Sequence, residues 1–120
     1  MRLKSHLQYE RNFCNEMQLI GYHTERVAAS GRRRASVCDA VLFTGRKSYL
    51  VEVKSTKEKF FSVQKGLHGI IEACEKVNIL PLIAIYFKSS HSSEGSGRWV
   101  LKIITKDLEK VKCDDRSDEI

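Results

Sequence analysis

Apolar residues recur along the chain in two alternating periods. Projected at 100° per residue from Leu3, the side chains of Leu7, Phe13, Cys14, Met17 and Ile20 fall on one arc, which predicts an amphipathic helix over residues 3–20, ended by Gly21. Residues 22–28 alternate and predict a short strand. Two β-branched and apolar runs, residues 37–43 and 48–53, flank Thr44, Gly45, Arg46 and Lys47, a connection that closes a β-hairpin. Residues 56–61 read as a polar linker ending in two aromatics. Helical spacing returns over residues 62–78 through Val63, Leu67, Ile70, Ile71, Cys74 and Val77, with Gly66, Gly69 and Ala73 as a small-residue stripe. Such a stripe admits a close neighbour, either the sheet or a second subunit. The run LPLIAIYF at residues 80–87 has the continuous apolar character of a strand buried on both faces, with Pro81 at its start. Residues 88–97 form a polar loop, residues 98–105 a further strand, and residues 107–112 a last helical turn. This makes residues 1–112 a single domain, and residues 113–120, with Asp114, Asp115, Asp118 and Glu119, a solvated acidic tail.

Charge placement in the hairpin departs from this plain pattern. Glu52 and Lys54 are two apart, so an extended chain points both to one sheet face while Val51 and Val53 point to the other. With the turn centred between Gly45 and Arg46, Phe43 faces Ser48, and counting outward sets Asp39 opposite Glu52. Directly opposed Cβ atoms lie about 5 Å apart, and like charges there destabilise the pair. A divalent cation with hard-oxygen preference, Mg²⁺ or Mn²⁺, converts that repulsion into a binding site. Glu10 falls in the middle of the apolar arc of the first helix. Either a salt bridge or a slight helix rotation accommodates it, or it is aimed at Asp39 and Glu52 as a further metal ligand, since a buried carboxylate requires a cation or a shifted pKa.

Composition narrows the partners. A chain of 120 residues with 42% hydrophobic content suits one globular domain, and a formal net charge of +6 favours a polyanionic partner. Arg32, Arg33 and Arg34 follow Ser30 and Gly31 just before the hairpin. Guanidinium forks match phosphate oxygens, although an isolated basic run is by default a solvated turn. Cys14, Cys38, Cys74 and Cys113 show no zinc spacing and read as reduced structural thiols of an intracellular protein. His91 in a polar loop reads as a loop residue rather than a catalytic one, and Trp99 in a strand as core or hydrophobic rim rather than a base-stacking platform. No apolar run reaches the roughly 20 residues of a membrane helix, so neither membrane association nor a small-molecule cofactor is expected.

Tyr9-Glu10-Arg11, the run Arg26-Val27-Ala28-Ala29-Ser30-Gly31, Cys38-Asp39, Glu52-Val53-Lys54-Ser55-Thr56 and Gly69-Ile70-Ile71-Glu72 together resemble the PD-(D/E)XK nuclease superfamily. More narrowly, residues 7–104 look like an archaeal-type Holliday junction resolvase. One departure is Cys38, which stands where the motif usually has proline, a residue that shapes the turn and does no chemistry. The chain is also short at its C-terminus for this family. The resemblance implies an α/β fold with a mixed central β-sheet flanked by helices, restriction-endonuclease-like, and a homodimer cutting a symmetric four-way DNA junction inside the cell, at the nucleoid. It implies Mg²⁺, replaceable by Mn²⁺, held by Glu10, Asp39, Glu52 and the carbonyl of Val53. Lys54 would orient the attacking water or stabilise the transition state, Ser30 would touch the phosphate, and Arg11, Arg26 and Arg32 to Arg34 would follow junction backbones.

Two alternatives stay open at the level of sequence. Another nuclease on the same scaffold would cut duplex or branched DNA, but the small chain has no evident target-recognition insert. A catalytically silent nucleic-acid-binding subunit would dispense with the acidic residues and Lys54, all of which are present. A metal-free His/Tyr/Lys set of the RNA-splicing type is not convincingly formed by these residues.

Overall fold

Strand β5 (Leu80–Phe87) is almost wholly buried, and the molecule is built outward from its two faces. In the computed structural model, residues 2–27, 37–63, 67–88 and 97–120 are described, with the side chains of 2–6 and 68 set aside. Ser30, Arg32, Arg33, Arg34 and His91 lie outside the described residues. In chain order the elements are α1 (Arg2–Ile20), β1 (His23–Arg26), β2 (Ala40–Phe43), β3 (Ser48–Thr56), β4 (Phe60–Ser62), α2 (His68–Val77), β5, β6 (Arg98–Ile103) and β7 (Lys110–Lys112). Five of the strands form one sheet in the order β1-β2-β3-β5-β6. Strand β3 runs parallel to β5 across the α2 crossover, and the other neighbours are antiparallel, so the sheet is mixed as expected.

Alternation along the strands sorts the core into two layers. Phe13, Cys14 and Met17 of α1 pack on Leu42, Val51, Val53, Leu82 and Ala84. On the opposite face, Ile70 and Cys74 of α2 pack on Ile83, Ile85 and Val100. Each fully buried aliphatic or aromatic side chain contributes about 1.5–3 kcal/mol, so the two helices are held by their apolar stripes rather than by propensity. The stripe of α1 is narrower than the periodicity predicts. Leu7 and Ile20 at its ends are 38% and 60% exposed, because the helix overhangs the sheet.

Glycine acts at two turns. Gly21 ends α1 with φ +109°, and the amides of Gly21 and Tyr22 return to the carbonyls of Gln18 and Met17 at 3.0 Å. Gly45, with φ +93°, turns the β2–β3 hairpin, which is closed by Thr44 N–H to the Lys47 carbonyl. The hairpin therefore has the predicted centre.

The helix expected over residues 62–78 forms as α2 but starts only at His68; its predicted first residue, Ser62, ends a strand instead, and the helical turn expected at residues 107–112 gives way to a strand at Lys110–Lys112. Phe60–Ser62 and Lys110–Lys112 pair as a separate two-stranded ribbon, with the Lys110 ammonium 4.7 Å from the Phe60 ring centre. Local spacing favoured a helix there, but cross-strand pairing and the burial of Val111 outweigh it.

Residues 113–120, expected as a solvated tail, run along the outer edge of β6. An edge strand presents unpaired amides, and this segment satisfies them. Leu101 N–H donates to Ser117 Oγ at 2.9 Å, Ile103 N–H to Asp118 Oδ2 at 2.7 Å, and Asp118 N–H to the Leu101 carbonyl at 2.8 Å, while Ile120 packs on the α1-side core. Composition alone reads the acids as solvated because it does not show that Asp118 is an acceptor for a strand edge. Asp118→Ala is expected to lower stability by about 1 kcal/mol, read as an earlier urea midpoint; an unchanged midpoint would mean the edge is not held this way.

Candidate active site

The ladder between β2 and β3 keeps the predicted register from Phe43 with Ser48 back to Ala40 with Val51. Continued by one residue it would set Asp39 opposite Glu52, but the backbone changes course there. Asp39 N–H donates to the Val51 carbonyl at 2.8 Å, one residue short of Glu52, and the Asp39 carbonyl accepts from Val27 N–H at 2.8 Å. Val53 N–H is taken by the Asp39 carboxylate itself, at 2.8 Å to Oδ2. The carboxylate thus substitutes for a backbone acceptor at the end of the ladder, a charge-assisted bond that fixes its position. The simple cross-strand opposition is therefore replaced by a side-chain clamp.

The shared face nonetheless holds. Asp39, Glu52 and Cys38 line a cavity of about 390 Å³ closed on its far side by Leu67, Gly69 and Ile70 of α2 and the turn before it. Glu52 stands on the α2 face because its neighbours Val51 and Val53 belong to the α1 layer. Lys54, two residues on, places Nζ 3.2 Å from Glu52 Oε2, both groups half-buried. Burial pushes the Cys38 thiol above its ordinary range, a backbone hydrogen bond at Val51 works against this, and the negative charges of Asp39 and Glu52 push it further up. In the sequence Cys38 was legible only as the residue before Asp39.

Glu10 arrives from the other layer. It is 5% exposed, on the α1 face, and its Oε1 lies 3.5 Å from Nη1 of Arg26. Arg26 pairs with Ala40 in the β1–β2 ladder, and the following residue, Val27, bonds the Asp39 backbone, so Glu10 is joined to the Asp39 segment through a single strand end. Among the described residues no three acidic, histidine or cysteine groups converge on one ion position. Of the expected metal ligands, the structure brings Asp39 and Glu52 to one cavity, Val53 to the Asp39 carboxylate through its amide, and Glu10 to Arg26. Arg11 is exposed on α1. As donors, two carboxylates on one face beside an ammonium suit a hard divalent cation.

A family model described as archaeal Holliday junction resolvase (Hjc) matches residues 4–114. The chain belongs to the archaeal Holliday junction resolvase family. It is accordingly a junction-resolving endonuclease, and nucleases of this family generally depend on a divalent metal. Among solved structures, 16 chains match. One is Hjc from Archaeoglobus fulgidus, a Holliday junction resolvase from an archaeal hyperthermophile, with TM-score 0.68 and 19% identity over 88% of this chain and 87% of that one. That likeness establishes the restriction-endonuclease-like fold. None of the curated protein sequences matches.

The Glu10–Arg26 contact has a measurable consequence. Arg26→Ala removes a cation from a buried carboxylate and is expected to cost about 1–2 kcal/mol, discounted from the value for a fully buried pair because Arg26 is one-third exposed. Adding Glu10→Gln should recover most of that loss in a double-mutant cycle, and purely additive effects would show that the two groups do not interact.

Proposed function

We propose that this resolvase cuts four-way DNA junctions as a homodimer, using Mg²⁺ held by Asp39 and Glu52 with Glu10 and the Val53 carbonyl completing the set. The observation that carries the reading is the shared cavity: two carboxylates fixed on one face at the end of a broken ladder, with Lys54 against one of them. A divalent ion in that position supplies a water of lowered pKa and neutralises charge on the scissile phosphate. The protein's own contribution is placement. Asp39 is held by Val53 N–H, and Lys54 is held beside the acids by Glu52, positioned to orient a water or to meet charge developing on the phosphate. Glu10 is assigned to the same set from the helix side by its burial and its link through Arg26 and Val27 to Asp39, with its charge met by Arg26 until an ion binds.

A two-fold junction is matched by two copies of one chain, which supplies two sites for paired cuts. Ser30 contacts the phosphate at the cut, and Arg11, Arg26, Arg32, Arg33 and Arg34 follow the backbones of the arms inside the cell, at the nucleoid. Mn²⁺ replaces Mg²⁺. The excess positive charge of +6 supports a backbone-tracking mode of binding, which responds to shape more than to sequence.

A labelled mobile junction and a linear duplex of the same sequence, incubated with Mg²⁺ and resolved on a denaturing gel, test the reading. Junction cutting should far exceed duplex cutting and vanish in chelator; equal rates would indicate a general endonuclease. Asp39→Ala or Glu52→Ala should lower cutting on the order of a thousandfold while gel-shift affinity for the junction stays near wild type, and joint loss of binding and cutting would contradict this division. Neutralising Arg32, Arg33 and Arg34 together should flatten the log–log salt dependence of junction binding by about 2 to 3 slope units, and an unchanged slope would place them away from DNA.

A further inference from the structure

On the α1 face, away from the acidic cavity, lies a second cleft of about 630 Å³ whose walls are aromatic and whose rim is amide. Tyr9 of α1 lies 5.3 Å from Tyr86 of β5 between ring centres, and Tyr86 lies 5.1 Å from Trp99 of β6. Gln8, Asn12 and Asn15 stand along the helix side of the same cleft, and Gln8 donates to Asn12 at 3.1 Å. The rings are only half-buried, although a cluster formed for packing alone would be expected to close over itself. Lys88 places its ammonium over the Tyr9 ring, 5.4 Å from its centre, so that a base stacking on Tyr9 takes the place of this cation and moves it toward the attached phosphate, while Glu16 lies at the rim.

From this arrangement we infer that the cleft receives one unstacked nucleobase of the DNA, an inference that rests on the DNA-cutting reading above. Half-exposed rings offer a face on which any base can stack, and carboxamides carry both a donor and an acceptor, which suits the Watson–Crick edge of a base that has lost its partner. A base still stacked in duplex DNA presents neither its face nor that edge. Lys88 fits the phosphate attached to such a base, whereas Glu16 repels one, which fixes the side from which the strand arrives. The position is also right. Tyr86 stands opposite Ser55 in the β3–β5 ladder, one residue beyond Lys54, and Tyr9 adjoins Glu10 in the helix. Lys54 beside the acidic cavity and Tyr86 in the cleft thus sit toward the same end of the paired strands β3 and β5, on opposite faces of the sheet. The cleft thereby favours DNA whose pairing is interrupted, such as the crossover of a junction, over continuous duplex.

Trp99 is the sole tryptophan of the chain, so its fluorescence reports on the cleft directly. Titration of the wild-type protein with a short oligothymidylate should quench the emission, and the same length of duplex should leave it largely unchanged. Tyr9→Leu, which retains apolar volume but removes the ring, should raise the apparent Kd for the single strand about tenfold. Asn15→Ala at an exposed position gives a second reading, with a smaller loss and no effect on folding by circular dichroism. Unchanged emission with oligothymidylate, or identical titrations for wild type and both variants, would overturn the inference. Junction cleavage by the same wild-type preparation separates the two readings. Cutting without quenching sinks the cleft alone, and quenching without junction cutting sinks the proposed activity alone.

Discussion

The hydrogen bond from Val53 N–H to the Asp39 carboxylate is the constraint on which the site depends. A regular hairpin would send that amide to the Cys38 carbonyl and leave the two acids in simple repulsion. Here the ladder slips by one residue, the Asp39 N–H goes to Val51, and the side chain takes up the amide that the slip releases. Strand β2 begins just after this point, and the segment before it borders a cavity against α2. One bond therefore couples the local break in pairing to the presence of a chamber and to the fixed position of one of its acids.

The two-layer core explains how such a break is tolerated. β3 is flanked on one side by the hairpin and on the other by β5, and its pairing with β5 extends unbroken from Tyr49 to Thr56. The irregularity is thus confined to the β2 side while the central pair stays regular. The alternation of β3 then divides labour between faces. Val51 and Val53 anchor the α1 layer, and Glu52 and Lys54 are delivered to the α2 side. Glu10 comes from the α1 layer and is balanced by Arg26, so the acid expected to join the pair is held by a neighbouring guanidinium.

Much of this was legible in residue order. The period of residues 3–20, the glycine turns and the apolar run at residues 80–87 marked α1, the hairpin and β5, and the hairpin centre set the register that β2 and β3 adopt. The slip at Asp39 was not legible, because a carboxylate acting as a backbone acceptor leaves no trace in hydrophobic pattern. Nor was the ribbon of β4 and β7, whose short segments acquire strand character only through each other. The docking of residues 113–120 escaped for a related reason: the edge amides of β6 that bind Ser117 and Asp118 belong to a strand distant in sequence. Glu10 was flagged by its place on an apolar arc, and the arc could not tell whether an arginine or a metal ion would answer its charge.

The position at which a divalent ion settles decides whether Asp39 and Glu52 form the metal site. Titration of Mn²⁺ into isotopically labelled protein, followed by paramagnetic broadening of backbone amide resonances, locates the ion without reference to cutting. The amides of Cys38, Asp39 and Val53 should broaden first, and Asp39→Asn should abolish that selectivity. First broadening at Asp114, Asp115 and Asp118, with the Val53 amide unaffected, would contradict the placement of the metal between Asp39 and Glu52.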